Sequence, residues 1–129
     1  MKKKNVRVWA VDLDGTLAHY GKFKSLTTIG RPVKKMVEFV KARRAEGDIV
    51  RIFTARLDNP EPLKKKAVRA IQAWSLEHLG IILDITNIKT KDISDILDDR
   101  CWRVVKNKGV IICPEAKVHS SSCKTEKLN

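Results

Sequence analysis

Val6-Arg7-Val8-Trp9-Ala10-Val11-Asp12-Leu13-Asp14-Gly15-Thr16 is the stretch on which the fold turns. Residues 6–12 are rich in Val and Trp, as a buried strand requires, and the run closes on two acids one residue apart. Side chains two apart on a strand point the same way, so Asp12 and Asp14 converge where the strand ends. Open parallel sheets bind their ligands at those carboxyl ends. Two neighbouring carboxylates repel unless a cation neutralises them, so such a pair suits Mg²⁺, or one nucleophile beside one acid/base. Gly15 lets the chain turn sharply straight after the pair. An EF-hand is excluded, because its loop needs an acid or amide fifth and Gly sixth, where this chain has Thr16 and Leu17.

Outward from that strand, short apolar runs alternate with amphipathic stretches, the pattern of an α/β fold with a parallel sheet. A polar and aromatic loop over 15–30 comes first. Pro32 then stands at a first helical position, and Val33, Met36, Val37 and Val40 line one helix face that ends near Gly47. Residues 49–54 read as a second strand. Pro62 opens a second helix along which Leu63, Ala67, Ile71, Trp74 and His78 recur at helical spacing, and Gly80 stops it. Residues 81–85, 93–97 and 110–113 read as third, fourth and fifth strands, with Asp95 inside the fourth. The expected domain is 1–113, followed by a polar, Ser- and Lys-rich tail over 114–129.

Composition limits the partners. The 129 residues make one domain, large enough to bury a core without a structural metal. Twenty-seven Lys and Arg against 15 Asp and Glu leave a formal charge of +12, which favours acidic partners such as nucleic acid or phosphorylated metabolites. No apolar run is long enough to span a bilayer, so no membrane association is expected. Met1-Lys2-Lys3-Lys4 looks like the start of a signal peptide, but Asp12 and Asp14 break what would be its apolar segment. Cys101, Cys113 and Cys123 form no CxxC pair, and three reduced thiols in a cytoplasmic protein are expected.

Asp12-Leu13-Asp14-Gly15-Thr16 after a strand resembles the first motif of the haloacid dehalogenase-like (HAD) phosphohydrolase superfamily. Three further motifs of that family can be matched in order. Thr54 ends the second strand and is followed by Ala55-Arg56; Lys89 follows Asn87-Ile88, with Lys91 as its competitor; and Asp98-Asp99 follow Ile96-Leu97. The resemblance spans roughly residues 6–100. It implies a Rossmann-like parallel sheet in the order 5-4-1-2-3 and an Mg²⁺-dependent phosphatase working through an aspartyl-phosphate. By the same resemblance Asp12 is the nucleophile and Asp14 the acid/base, while Thr54 and Lys89 hold the phosphoryl group. Gly15, Thr16 and Arg56 would contact substrate. The Asp12 and Asp98 carboxylates and the Asp14 backbone carbonyl would hold Mg²⁺, with Asp99 either joining them or capping a helix.

The intervals between motifs leave no room for a cap domain, so the resemblance is to small capless members, including phage-type phosphatases and the phosphatase domains of polynucleotide kinases. An open site suits a substrate too large to enclose, a partner chain that supplies the lid, or a small-substrate enzyme of relaxed specificity, and a nucleotide or nucleic-acid end is the expected phosphorylated partner. Lys64, Lys65 and Lys66 open the second helix where its dipole disfavours cations, and with Lys22, Lys24 and Arg56 they are expected to form a basic rim. His19 and Tyr20 receive no role. Two other classes stay open: a non-catalytic nucleic-acid-binding module on the same scaffold, and a phospho-accepting signalling protein, whose acidic pair would come first rather than last. Whether the chain is a monomer or a homo-oligomer is not legible in its residues.

Overall fold

The computed structural model describes residues 5–114 and, as backbone, 126–127. The chain divides into two compact units, Met1–Asp98 and Asp99–Asn129. In the first, β1 (Val8–Asp12), β2 (Ile49–Phe53), β3 (Ile85–Thr86) and β4 (Asp95–Leu97) form a parallel sheet in the order β3-β2-β1-β4. β1 is a central strand, and Ala10 and Val11 are wholly buried, which is why its sequence is apolar without alternation. With Leu13, Leu17 and Ile52 it makes the core on which α1 (Lys34–Ala45) and α2 (Leu63–Leu79) pack through Val40, Ile71 and Trp74.

The elements depart from expectation at their ends, each for a visible reason. Pro32 does not open α1, because it is bridged to Ala18 while the Val33 N–H donates to the Leu17 carbonyl at 2.8 Å. The chain is therefore still extended there, and Val33 becomes the residue before the helix. Pro62 likewise precedes α2 rather than beginning it, and the Glu61 carboxylate accepts the Lys65 N–H at 3.3 Å. Gly80 ends α2 in a left-handed conformation, φ 76°, as its place after the apolar stripe implies. Strand β3 is shorter than the expected 81–85 run. Ser75 of α2 donates to the Ile81 carbonyl and accepts the Leu83 N–H, so these groups bond to a helix side chain and not to β2.

Gly30 and Trp74 fix the return of the 15–30 loop. The Trp74 indole N–H donates to the Gly30 carbonyl at 2.9 Å, and the His19 N–H reaches the Arg31 carbonyl at 2.8 Å. A Cβ on Gly30 would lie 1.9 Å from the backbone oxygen of His19, a clash only backbone movement relieves. Gly30→Ala is expected to destabilise the protein by about 1–3 kcal/mol, by analogy with overpacking elsewhere. Urea unfolding monitored by Trp fluorescence would check this, and an unchanged midpoint would show that the loop yields freely.

The second unit corrects the sequence reading most. β5 (Arg103–Val105), β6 (Val110–Ile112) and β7 (Glu126–Lys127) form a separate antiparallel sheet, so the expected fifth strand does not extend the parallel one. The cause lies in the turn between β5 and β6, where Asn107 and Gly109 take positive φ of 61° and 66°, which folds the chain back as a hairpin. β7 falls within the expected tail. The rest of the tail beyond Pro114 lies outside the described residues. Cys113 is buried and disulfide-bonded, which overturns the expectation of three reduced thiols. Among the described residues no helix is long and apolar enough to cross a membrane.

Candidate active site

The acidic pair straddles the end of β1, where the chain curls around one carbonyl. After β1 the Leu13 oxygen accepts the N–H groups of Thr16, Leu17 and Ala18, at 3.3, 3.0 and 2.8 Å. Gly15 at φ 89° makes that curl possible. Leu13 is wholly buried, whereas Asp12 and Asp14 on either side of it are only partly so. The pair is therefore presented at the surface by a residue locked into the core. The Thr16 hydroxyl donates to Asp12 Oδ2 at 3.3 Å, so Thr16 orients the first carboxylate.

Register gathers the other expected residues at the same sheet end. Asp12 pairs with Phe53 and Phe53 with Thr86, while Val11 pairs with Leu97. Thr54, Lys89 and Asp98 all follow the strand ends defined by those pairs. Carboxylate oxygens of Asp12 and Asp98 lie within 4.8 Å of each other, and Asp99, peptide-bonded to Asp98, completes the group of three at the same spacing. An all-oxygen, anionic donor set of this kind suits a hard divalent cation. Asp14 is not one of these three. Thr54 is buried, and its hydroxyl oxygen accepts the Arg56 N–H at 3.2 Å. Accepting that bond does not consume the hydroxyl's own proton.

Arg56 takes a part that its sequence neighbourhood did not announce. It is 7% exposed, and all five of its N–H donors are engaged within the protein. Nε and one terminal nitrogen bind the two oxygens of Asp14 at 2.8 and 2.9 Å. The remaining donors reach the carbonyls of Ser25, Leu26 and Thr28, each at 2.9 Å. Where the sequence offers Arg56 as a substrate contact and part of a basic rim, the structure adds a further part: the guanidinium clamps Asp14 to the 25–28 turn. Each Asp14 oxygen retains a second lone pair for another partner.

The 87–92 loop, which carries the expected lysine, is tied to the sheet by an ion pair. Arg51 of β2 grips Asp92 with two bonds, of 3.0 and 2.7 Å. That guanidinium, and after it the Thr90 hydroxyl, holds the Asp92 carboxyl well below the usual carboxylate range. Lys89 and Lys91 are both exposed, and the geometry does not choose between them. Lys64, Lys65 and Lys66 are exposed in the first turn of α2, as the sequence suggested. Lys22 and Lys24 instead border a cavity that Asp14 also lines.

No family model matches the chain, and no curated protein does. One solved structure, of a conserved protein from Bacteroides thetaiotaomicron, is similar with a TM-score of 0.50 at 20% identity. The match covers 75% of this chain and 78% of that one. It speaks to the fold alone.

Proposed function

We propose that this chain is a capless, Mg²⁺-dependent phosphomonoester hydrolase of the HAD type, with Asp12 as the nucleophile. The observation that carries the reading is the gathering of Asp12, Thr54 and Asp98 at the carboxyl ends of three adjacent parallel strands, with Asp12 and Asp98 close enough to share one cation. The order of the four motifs along the chain supports it independently. Asp12 and Asp98, with Asp99 beside them, would hold Mg²⁺, which when bound offsets the negative charge of the phosphoryl group.

The chain's own residues then divide the work. An Asp12 oxygen attacks phosphorus, the ester P–O bond breaks, and Asp14, a carboxylate beside Arg56, relays the proton of the substrate's monoanionic phosphate to the leaving oxygen. In the second half a water attacks the aspartyl-phosphate and Asp14 takes its proton. Inorganic phosphate leaves with that proton, and Asp12 and Asp14 are both carboxylates again. The Thr54 hydroxyl donates to a phosphoryl oxygen, and Lys89 adds a cation to the same group. Arg56 and Thr16 touch no substrate in this scheme but aim the two acids, and such positioning supplies most of the advantage in phosphoryl transfer. The test is release of p-nitrophenol from p-nitrophenyl phosphate. Turnover is expected to vanish with a chelator and return with added Mg²⁺; a rate equal to buffer at every Mg²⁺ concentration would refute the assignment.

A further inference from the structure

A cavity of about 290 Å³ opens beside Asp14, lined by His19, Tyr20, Lys22, Lys24 and Thr28 among others. The loop that walls it reads His19-Tyr20-Gly21-Lys22-Phe23-Lys24, three ring side chains and two lysines within six residues. Tyr20 is 48% exposed and Phe23 54%, so neither ring is spent on the core. The loop is nonetheless held in place. Arg56 grips the carbonyls of Ser25, Leu26 and Thr28, Trp74 holds Gly30, and the Phe23 ring lies 6.0 Å from the Arg56 guanidinium. An exposed ring beside two ammonium groups, on a loop tied down at its ends, offers a stacking surface next to positive charge.

Resting on the phosphatase reading, the position of this cavity says what it receives. Asp14 protonates the leaving oxygen, so the group that departs must occupy the space Asp14 borders. A π face complements a planar ring, and the flanking lysines complement further phosphate; a sugar phosphate lacks the first and a phosphotyrosine side chain the second. The volume is at the small end for ligand pockets, room for one nucleoside and not for a folded chain. We infer that the leaving group is a nucleoside, its base stacked on Tyr20 and any further phosphates running onto Lys22 and Lys24.

The experiment compares kcat/KM for thymidine 3′-phosphate, a 3′-phosphorylated oligothymidylate and glycerol 2-phosphate, which has no base. The wild type is expected to prefer the thymidine compounds. Tyr20→Ala is expected to lower that preference roughly 5- to 100-fold, chiefly through KM, and Tyr20→Trp to keep it. A salt-sensitive loss on the oligonucleotide alone in Lys22→Ala/Lys24→Ala identifies a strand end as the source of the nucleoside; turnover of the mononucleotide with an inert oligonucleotide identifies free nucleotides. No preference for a base, or a preference that Tyr20→Ala does not move, overturns the inference. Should no phosphomonoester be turned over, the phosphatase reading fails and binding of the oligonucleotide by fluorescence anisotropy decides separately. Weaker binding by Tyr20→Ala than by wild type then upholds the stacking site, and no binding by wild type overturns it.

Discussion

Replacing Asp12 by asparagine is expected to lower phosphomonoester turnover by roughly 10⁴- to 10⁶-fold, the range met when one member of a nucleophile and acid/base unit is removed. The amide keeps the shape of the carboxylate, and its oxygen can still accept the Thr16 hydroxyl that now reaches Asp12 Oδ2 at 3.3 Å. The fold should therefore survive. Without a cation, the three carboxylates of Asp12, Asp98 and Asp99 repel one another at the spacing seen here, so the variant is expected to melt no lower than wild type. Steady-state rates beside thermal melts in chelator would check both halves. Retained turnover in Asp12→Asn would move the nucleophile elsewhere; lost turnover with a collapsed melt would leave a structural role instead of a chemical one.

Arg56→Met is expected to destabilise the fold by about 3 kcal/mol, and it is the largest loss of stability foreseen for a single side chain outside the apolar core. Methionine fills similar space but leaves the Asp14 carboxylate and the carbonyls of Ser25, Leu26 and Thr28 without their donor. Breaking a buried pair in this way costs roughly 3–5 kcal/mol. The lower figure applies because the Asp14 side chain is 21% exposed and water can reach part of it. Arg56→Lys should recover little, since one ammonium cannot span two carboxylate oxygens and three carbonyls. The double variant Arg56→Met/Asp14→Asn should be less damaged than the sum of its parts, because it removes the stranded charge. Urea unfolding of the four proteins measures this, and a loss in Arg56→Met below about 0.5 kcal/mol, within the scatter of surface substitutions, would show that the clamp carries no weight.

Both variants disturb the same object from different sides. Asp12 is placed by its own strand and by a turn folded around the Leu13 carbonyl. Asp14 is placed by a residue 42 positions away. The two acids therefore separate in character although one residue parts them: the first faces the acidic group of Asp98, and the second is neutralised by a buried guanidinium.

The sheet was largely legible along the chain. The apolar run before Asp12, the stripe of Ala67, Ile71 and Trp74, and the stop at Gly80 each signal their element locally, because the periodicity of side chains and the freedom of glycine are properties of a few adjacent residues. The ends of strands 1, 2 and 4 followed from the same runs, and with them the level at which Asp12, Thr54 and Asp98 meet. The hairpin of β5 and β6 could have been found, since Asn107 and Gly109 mark a reversal before Val110. An apolar run alone does not say whether its strand joins a parallel or an antiparallel sheet.

What remained for the tertiary structure was every contact between segments far apart in sequence. No local pattern says that the five donors of Arg56 divide between Asp14 and the 25–28 turn, or that Trp74 reaches Gly30 and Ser75 takes the backbone of 81–83 away from β2. Those bonds join residues that only the closed sheet brings together, and each exists because a buried donor or acceptor must find a partner wherever the fold has put it. The sequence by itself determined the α/β sheet and the level of its acidic residues. The tertiary structure decided that Arg56 is a clamp, and that the loop it holds walls the cavity beside Asp14.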